Sequence, residues 1–117
     1  MTATTGAVAA IHVSPEGLVM ETSPGIARDD ADGWAAAMAA LGTVSAASVG
    51  IVGDLTAGGY PWGHSIIEDR VGQTLVLVGA PDQSMIAVVG AKGADLGEIV
   101  GRMIELADRG LLLPVTA

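Results

Sequence analysis

The sequence predicts an α+β protein that combines five short, mostly antiparallel strands with one long helix and one terminal helix. Three observations predict this fold class. Short apolar runs are separated by Gly and Pro turns, a long Ala-rich stretch carries large apolar residues three and four apart, and the last apolar stripe repeats at the same helical spacing. The predicted order is β-β-α-β-β-β-α, and 117 residues suit a single domain spanning residues 1–117.

The first two strands are predicted as a β-hairpin. Residues 8–14 and 18–23 are short apolar runs, and the turn signal Ser14-Pro15-Glu16-Gly17 lies between them. Pro24-Gly25 ends the second strand.

The long helix is predicted from residue 34 to about residue 52. Its clearest apolar stripe is Trp34, Met38 and Leu41. Three aspartates precede it, where side-chain caps and favourable charges for a helix start are expected: Asp29, Asp30 and Asp32. Gly42, Gly50 and Gly53 each weaken an isolated helix by about 1 kcal/mol relative to Ala, so we expect this helix to rely on close packing.

The second half of the chain predicts a Gly/Pro loop, a three-strand meander and a final helix. The loop covers residues 56–63, and the strands cover 64–69, 74–79 and 84–90. The final helix is expected from about Asp95 and is ended by Gly110.

Several short patterns, in this order and spacing, resemble the Roadblock/LC7 family over roughly residues 8–109. They are Ser-Pro-Glu-Gly-Leu-Val-Met at 14–20, Pro-Gly-Ile at 24–26, the Asp-flanked Ala-rich helix, and Gly-Ala-Asp-Leu-Gly at 93–97. The sequence looks most similar to small stand-alone bacterial members, including the actinobacterial type.

The resemblance implies a profilin-like fold, with a five-stranded antiparallel sheet and the long helix on one face. It also implies a non-enzymatic protein that forms dimers through the long helix and the third strand, giving one continuous sheet. Bacterial relatives regulate a small Ras-like GTPase, in some cases as activators that donate no arginine finger. Others are adaptors in dynein complexes or scaffolds for nutrient-sensing GTPases.

The sequence departs from the family pattern at its start. Family members usually begin with a helix of about a dozen residues, whereas only residues 1–6 precede the first strand here. We therefore expect one face of the sheet to lack part of its cover, and one hypothesis is that a helix from a partner or a second copy covers it.

A candidate dimer or partner interface comprises Trp34, Met38, Leu41, Ser45 and Ile66. Small Ala and Gly residues on several sides of the long helix would let a second helix approach closely. The alternative is that the Trp34, Met38 and Leu41 stripe packs in the protein's own core.

Charge and composition disfavour some classes of binding partner. Five Lys and Arg face 13 Asp and Glu, giving a net charge of −8, which disfavours nucleic acid and anionic membrane surfaces. There is no cysteine, no signal-peptide pattern at the start, and no continuous apolar run of the ~20 residues that a membrane-spanning helix needs. We expect a cytoplasmic protein with no membrane insertion.

Catalytic, metal and cofactor sites are not predicted. The two histidines are interpreted as a strand residue, His12, and a loop or edge residue, His64, without the spacing of a zinc site. No serine lies in a G-x-S-x-G elbow, and the aspartates 29, 30 and 32 lack the framework of a cation loop.

Two loops leave alternatives open. The turn at residues 90–97 contains Lys92 and opens a helix, a setting for an anion, but Asp95 would place a negative charge there as a cap. Tyr60 and Trp62 either form a contact surface or lie buried under the meander. The alternative functions are a pure scaffold without effect on GTP hydrolysis, or a sensor of a small anionic ligand at the 90–97 turn.

Overall fold

A computed structural model describes residues 4–115, and its centre is a five-stranded sheet in the order β2-β1-β5-β4-β3. All paired strands are antiparallel. The elements are β1 (Ala7–Val13), β2 (Val19–Thr22), α1 (Arg28–Thr56), β3 (His64–Glu68), β4 (Thr74–Gly79), β5 (Met85–Gly90) and α2 (Leu96–Ala107). The α+β class and the predicted element order are therefore confirmed.

The two helices lie on opposite faces of this sheet. Since side chains alternate along each strand, neighbouring strand residues contact different helices. Leu77 of β4 belongs to the apolar cluster under α1, together with Ala35 and Met38. Its neighbour Val76 belongs to the cluster under α2, together with Ile99 and Met103. The long helix on one face, which the resemblance implies, is thus present.

The predicted start of the long helix, residue 34, is six residues too late, and its predicted end, about residue 52, is four residues too early. The helix begins at Arg28 and continues to Thr56. Asp29 and Asp30 lie inside the first turn instead of capping it, and the N-cap is Ala27, without a side-chain hydrogen bond. Carboxylates in the first turn still stabilise the helix through its dipole, which explains why their pattern resembles that of a cap.

The predicted final helix is confirmed, including its cap. Asp95 is the N-cap of α2, and its Oδ1 accepts a hydrogen bond of 3.1 Å from the backbone N–H of Glu98. Gly110 has a φ of 66° just beyond the helix, and its N–H donates to the carbonyl of Ala107. This left-handed residue closes the C-terminal end.

Part of the sheet face expected to be uncovered is closed by the C-terminal segment. Leu113 is only 2% exposed and packs in the cluster under α2. Thr4 forms a parallel bridge with Val115, and the Arg102 side chain donates to the Thr4 hydroxyl at 2.6 Å. Residues 111–115 thus contribute to this cluster although their sequence has no strand or helix period.

Candidate interaction surface

The long helix α1 offers more apolar surface than the protein itself covers. No charged residue occurs from residue 33 to residue 53. The buried residues of the helix are Ala31, Ala35, Met38 and Ser45, whose spacing of four, three and seven places them on one side. The remaining sides of this segment carry no charge and consist mostly of Ala, Gly, Val and Ile, with the exposed polar residues Thr43 and Ser48.

We call the exposed apolar residues of the C-terminal half the outer face of α1. Its members are Val44, Ile51, Val52 and Leu55, which are 62%, 61%, 56% and 82% exposed. Val44, Ile51 and Leu55 are seven and four residues apart, which places them on the same side of the helix. Single exposed apolar residues are ordinary, whereas a group on one helix side is a candidate interaction surface.

The edge strand β3 is the second open feature. It pairs with β4 only, so its other edge has no strand partner within residues 4–115. Ile66 and Ile67 are 43% and 50% exposed, and the strand carries no bulge or proline. Unprotected edges of this kind readily pair with another strand.

A short hydrogen-bonded chain joins α1 to β3. The hydroxyls of Ser45 on the helix and Ser65 on the strand are 2.6 Å apart. The indole N–H of Trp62 donates to the Ser65 hydroxyl at 2.9 Å. These bonds fix the helix relative to the edge strand, so the two open features keep a defined relationship.

The predicted interface residues fall into three groups in the structure: buried, half-buried and exposed. Met38 and Ser45 are buried within the protein, at 5% and 8% exposure, so neither offers free surface to a partner. Trp34 and Leu41 are half-buried and pack against the cluster under α1. Ile66 is the predicted residue that is exposed. The residues of the outer face of α1 were not predicted, because the charge-free segment indicates that the helix has free apolar surface without showing which side it is on.

Tyr60 and Trp62, for which the sequence left a contact surface and burial as alternatives, have different surroundings. Tyr60 is 82% exposed. Trp62 is half-buried, with its ring about 3.1 Å from the position that a Cβ on Gly79 would take. Trp62 also lines an open cleft of about 570 Å³ that includes Gly42 of α1 and Met85 of β5.

His12, Ser84 and Asp82 form a hydrogen-bonded chain at one end of the sheet. His12 lies in β1 and is 6% exposed, and its Nε2 is 2.8 Å from the hydroxyl of Ser84, which is 1% exposed. That hydroxyl donates to Asp82, so its oxygen can only accept, and Nε2 of His12 carries the proton. The bond from Ser84 holds the pKa of the Asp82 carboxyl below its usual value.

This order of groups differs from that of an activated nucleophile. In a catalytic triad the histidine accepts the serine proton, and the carboxylate orients the histidine. Here the serine lies between the other two groups and donates to the carboxylate. The chain therefore acts as a structural link between β1 and the turn before β5. His64, as expected, lies at the start of the edge strand and is exposed.

The turn before α2 is organised around a carboxylate. The Asp95 carboxylate accepts a hydrogen bond from the backbone N–H of Glu98. This carboxylate therefore occupies the place where an anion would bind at a helix N-terminus. Lys92 is exposed beside it. This geometry gives no support to an anion site at residues 90–97.

The described residues also bear on metal binding and on membrane insertion. Within residues 4–115, no group of three or more His, Cys, Asp or Glu is arranged to hold a metal ion. α1 is long and apolar enough to cross a membrane by length and composition alone, a test that the core helix of a soluble protein also passes. The sequence-based expectation that no apolar stretch is long enough to span a membrane is corrected, because the four glycines and the small polar residues of α1 do not interrupt the helix.

A five-stranded antiparallel sheet with one helix on each face is also the fold of solved Roadblock/LC7 domains. The Roadblock/LC7 domain from Streptomyces avermitilis superposes with a TM-score of 0.74 and 22% identity, covering 90% of this chain and 82% of that one. The predicted resemblance to Roadblock/LC7 proteins is thus confirmed at the level of the fold.

Two bacterial MglB proteins share the fold as well. The gliding protein MglB from Thermus thermophilus superposes with a TM-score of 0.67 and 17% identity, covering 89% of this chain and 75% of that one. MglB from Myxococcus xanthus gives a TM-score of 0.63 and 17% identity, with 86% and 76% covered. No family model and no curated protein matches the sequence.

Proposed function

We propose that this protein is a non-catalytic regulator or adaptor of a small Ras-like GTPase and that it acts as a homodimer in the bacterial cytoplasm. The observation that carries the dimer is the outer face of α1 beside the open edge of β3. The GTPase as partner is supported by the Roadblock/LC7 fold and by what the sequence resemblance implies.

The dimer would bring two copies of the same surface together around a two-fold axis. Pairing of two β3 edges would satisfy their free backbone groups and extend the sheet from five strands to ten. The α1 helices would then pack against each other through Val44, Ile51 and Leu55. Since no charge lies between residues 33 and 53, the contact through Val44 and Ile51 desolvates no ionised group of α1, and the charged Asp54 follows this segment next to Leu55.

A regulatory or adaptor role also suits the chemistry of the described residues. Ser84, the serine that contacts a histidine, is buried, and its hydroxyl donates a hydrogen bond to the Asp82 carboxylate and not to the histidine. A GTPase would supply its own nucleotide chemistry, and this protein would change it through contact with mobile parts of that partner.

The test uses small Ras-like GTPases purified from the organism that encodes this protein. Single-turnover GTP hydrolysis is measured for each GTPase alone and with increasing amounts of this protein, and binding is followed separately by calorimetry. A changed hydrolysis rate on binding supports a regulator, and binding with an unchanged rate supports an adaptor. Absence of binding in both the GTP and the GDP states would contradict the proposed partner.

Leu55→Asp serves as the companion variant in the same assay. The side chain is 82% exposed, so the substitution leaves the folding of the single chain intact. If the dimer is the active form, this variant loses the effect on hydrolysis, while Val71→Asp, at a residue 59% exposed in the β3–β4 turn, retains it.

A further inference from the structure

The edge strand β3 has a sequence that is complementary to itself. Its five residues begin with His64, whose imidazole donates hydrogen bonds, and end with the carboxylate of Glu68. The apolar Ile66 is the middle residue of the strand. Such a strand can pair antiparallel with a second copy of itself so that each polar end meets the opposite chemistry.

The two polar ends and the central isoleucine lie on the same face of the sheet. Ile66 pairs with Val76, which belongs to the cluster under α2, and directly opposite residues point to the same face. Because side chains alternate along a strand, His64 and Glu68 lie on the α2 face as well. All three residues of β3 in this row are exposed, so the row is accessible to a partner.

A two-fold axis restricts how two copies of β3 can be aligned. Directly opposite residues of an antiparallel pair point to the same face, so a residue of the α2 face must meet another residue of that face. The axis therefore passes beside one residue, which lies opposite its own copy, and not between two residues. The central positions of the strand offer three such alignments, with the axis at Ser65, Ile66 or Ile67.

The alignment with the axis at Ile66 gives every residue of the row a suitable partner. Ile66 meets its own copy in an apolar contact. His64 lies opposite Glu68 of the second copy, and the symmetry produces this pair twice. The imidazole donates a hydrogen bond to a carboxylate in both its neutral and its charged form.

The other two alignments leave the Glu68 carboxylate without a complementary group. With the axis at Ile67, Glu68 lies against Ile66 of the second copy. With the axis at Ser65, it lies against Trp62 of the second copy, in a loop whose residues 57–63 carry no charge. A mismatch of this kind disfavours an alignment, because a polar group loses water without gaining a partner.

From these relationships we infer that β3 selects a second copy of this chain, aligned so that Ile66 meets its own copy and His64 meets Glu68. His64 and Glu68 then determine which strand the edge accepts, since an edge without the matching groups leaves both unpaired. The inference rests on the proposed dimer and deepens it by assigning the alignment and the residues that give specificity for an identical chain.

The absence of cysteine from the chain allows a direct test of the alignment. Directly opposite residues of an antiparallel pair have Cα atoms about 4.5–5.5 Å apart, which is within the range of a disulfide. Ile66→Cys should therefore form a disulfide-linked dimer under mild oxidation, whereas Ser65→Cys and Ile67→Cys should not. Val71→Cys, at a residue 59% exposed in the β3–β4 turn, controls for linkage by random collision.

A charge swap tests the specificity. His64→Glu sets carboxylates against each other at both ends of the pair and should weaken the dimer at least threefold. The double variant His64→Glu/Glu68→His has the composition and net charge of the wild type and should recover its dimer affinity. Gln83→Glu, exposed in the β4–β5 turn, makes the same charge change as His64→Glu and should have no effect. Light scattering over a dilution series measures all four proteins.

The outcomes distinguish this inference from the proposed dimer. A monomeric wild type would contradict the dimer and the alignment together. A dimeric wild type would overturn the alignment alone if Ile66→Cys linked no more than Val71→Cys, or if Ser65→Cys or Ile67→Cys linked as well as Ile66→Cys. A double variant as weak as His64→Glu would overturn the pairing of His64 with Glu68.

Discussion

The hydroxyls of Ser45 on α1 and Ser65 on β3 share a hydrogen bond of 2.6 Å, and Trp62 donates to the same Ser65 oxygen. Ser65 thus lies between the long helix, the edge strand and the loop that joins them. It links the two features on which the proposed dimer rests.

Removal of the Ser65 hydroxyl should destabilise the protein more than removal of the Ser45 hydroxyl. In Ser65→Ala, the indole N–H of Trp62 and the hydroxyl of Ser45 both lose the oxygen to which they are hydrogen-bonded. We expect a loss of about 1–3 kcal/mol in the free energy of unfolding. Ser45→Ala loses one bond but gains helix propensity. Urea unfolding measures both. Ser48→Ala, whose hydroxyl bonds only to the Val44 carbonyl, is the control and should be close to neutral; equal losses in all three variants would contradict this role.

Trp34→Phe should cost little stability, because the Nε1 of Trp34 is buried without a hydrogen-bond partner in the described part of the chain. The variant removes some apolar contact but also removes an unsatisfied donor, whose burial costs about 1–3 kcal/mol. Trp34→Glu and Leu41→Arg place charges against the cluster under α1 and should unfold the protein or break its assembly. Thermal unfolding measures the stability of the three variants. A larger loss of stability for Trp34→Phe than for Leu41→Arg would contradict the packing of Leu41 against the cluster under α1.

Two helix glycines should respond to alanine in opposite ways. A Cβ on Gly50 meets nothing within 4 Å, so Gly50→Ala should raise the free energy of unfolding by about 1 kcal/mol. A Cβ on Gly53 would lie 3.0 Å from the Cα of Gly59, so the backbone of the following loop must move. Gly53→Ala should therefore gain less than Gly50→Ala or lose stability. Chemical unfolding of both variants checks the order, and the reverse order would show that the loop does not pack there.

The groups around Asp82 lower its pKa and so make part of the protein's stability depend on pH. The hydrogen bond from the Ser84 hydroxyl is the largest cause of its lowered pKa, and the Ser84 backbone N–H and the charge of His12 add to it. Because the pKa is lower in the folded protein, this stabilisation is complete above the unfolded value of about 4 and is lost as the pH falls through the folded value. Ser84→Ala should raise the Asp82 pKa, which carbon NMR titration of the carboxyl measures.

Asp69 supplies the internal control for that titration. Its pKa is also lowered, chiefly by the backbone N–H of Gln73, and it lies in a different turn. Ser84→Ala should leave the Asp69 titration unchanged. An unchanged Asp82 pKa in the variant would show that the hydroxyl does not stabilise the carboxylate.

Local patterns were sufficient to predict most of the fold. The bounds of β4 agree with the predicted residues 74–79, and Asp95 caps α2, because alternation, turns and caps are properties of neighbouring residues. The start of α1 was predicted late because an aspartate stabilises a helix both as a cap and within the first turn. Burial of Leu113 depends on contacts far along the chain, which no period in residues 111–115 reports.

The candidate surface was harder to predict for a physical reason. Between residues 33 and 53 every side of α1 is apolar or small, so the pattern does not distinguish the side that packs on the sheet from the side that faces a partner. Trp34 and Met38 were the larger side chains, and size favours the core. The outer face became evident only once the sheet fixed the rotation of the helix.

The molar mass in solution tests the central claim most directly. Size-exclusion chromatography with light scattering should give twice the mass of one chain for the wild type and for Val71→Asp, and the mass of one chain for folded Ile51→Asp and Leu55→Asp. Circular dichroism confirms that the monomeric variants keep their fold. A wild type that is monomeric at high concentration, or Ile51→Asp and Leu55→Asp variants that stay dimeric, would contradict a dimer formed through the outer face of α1.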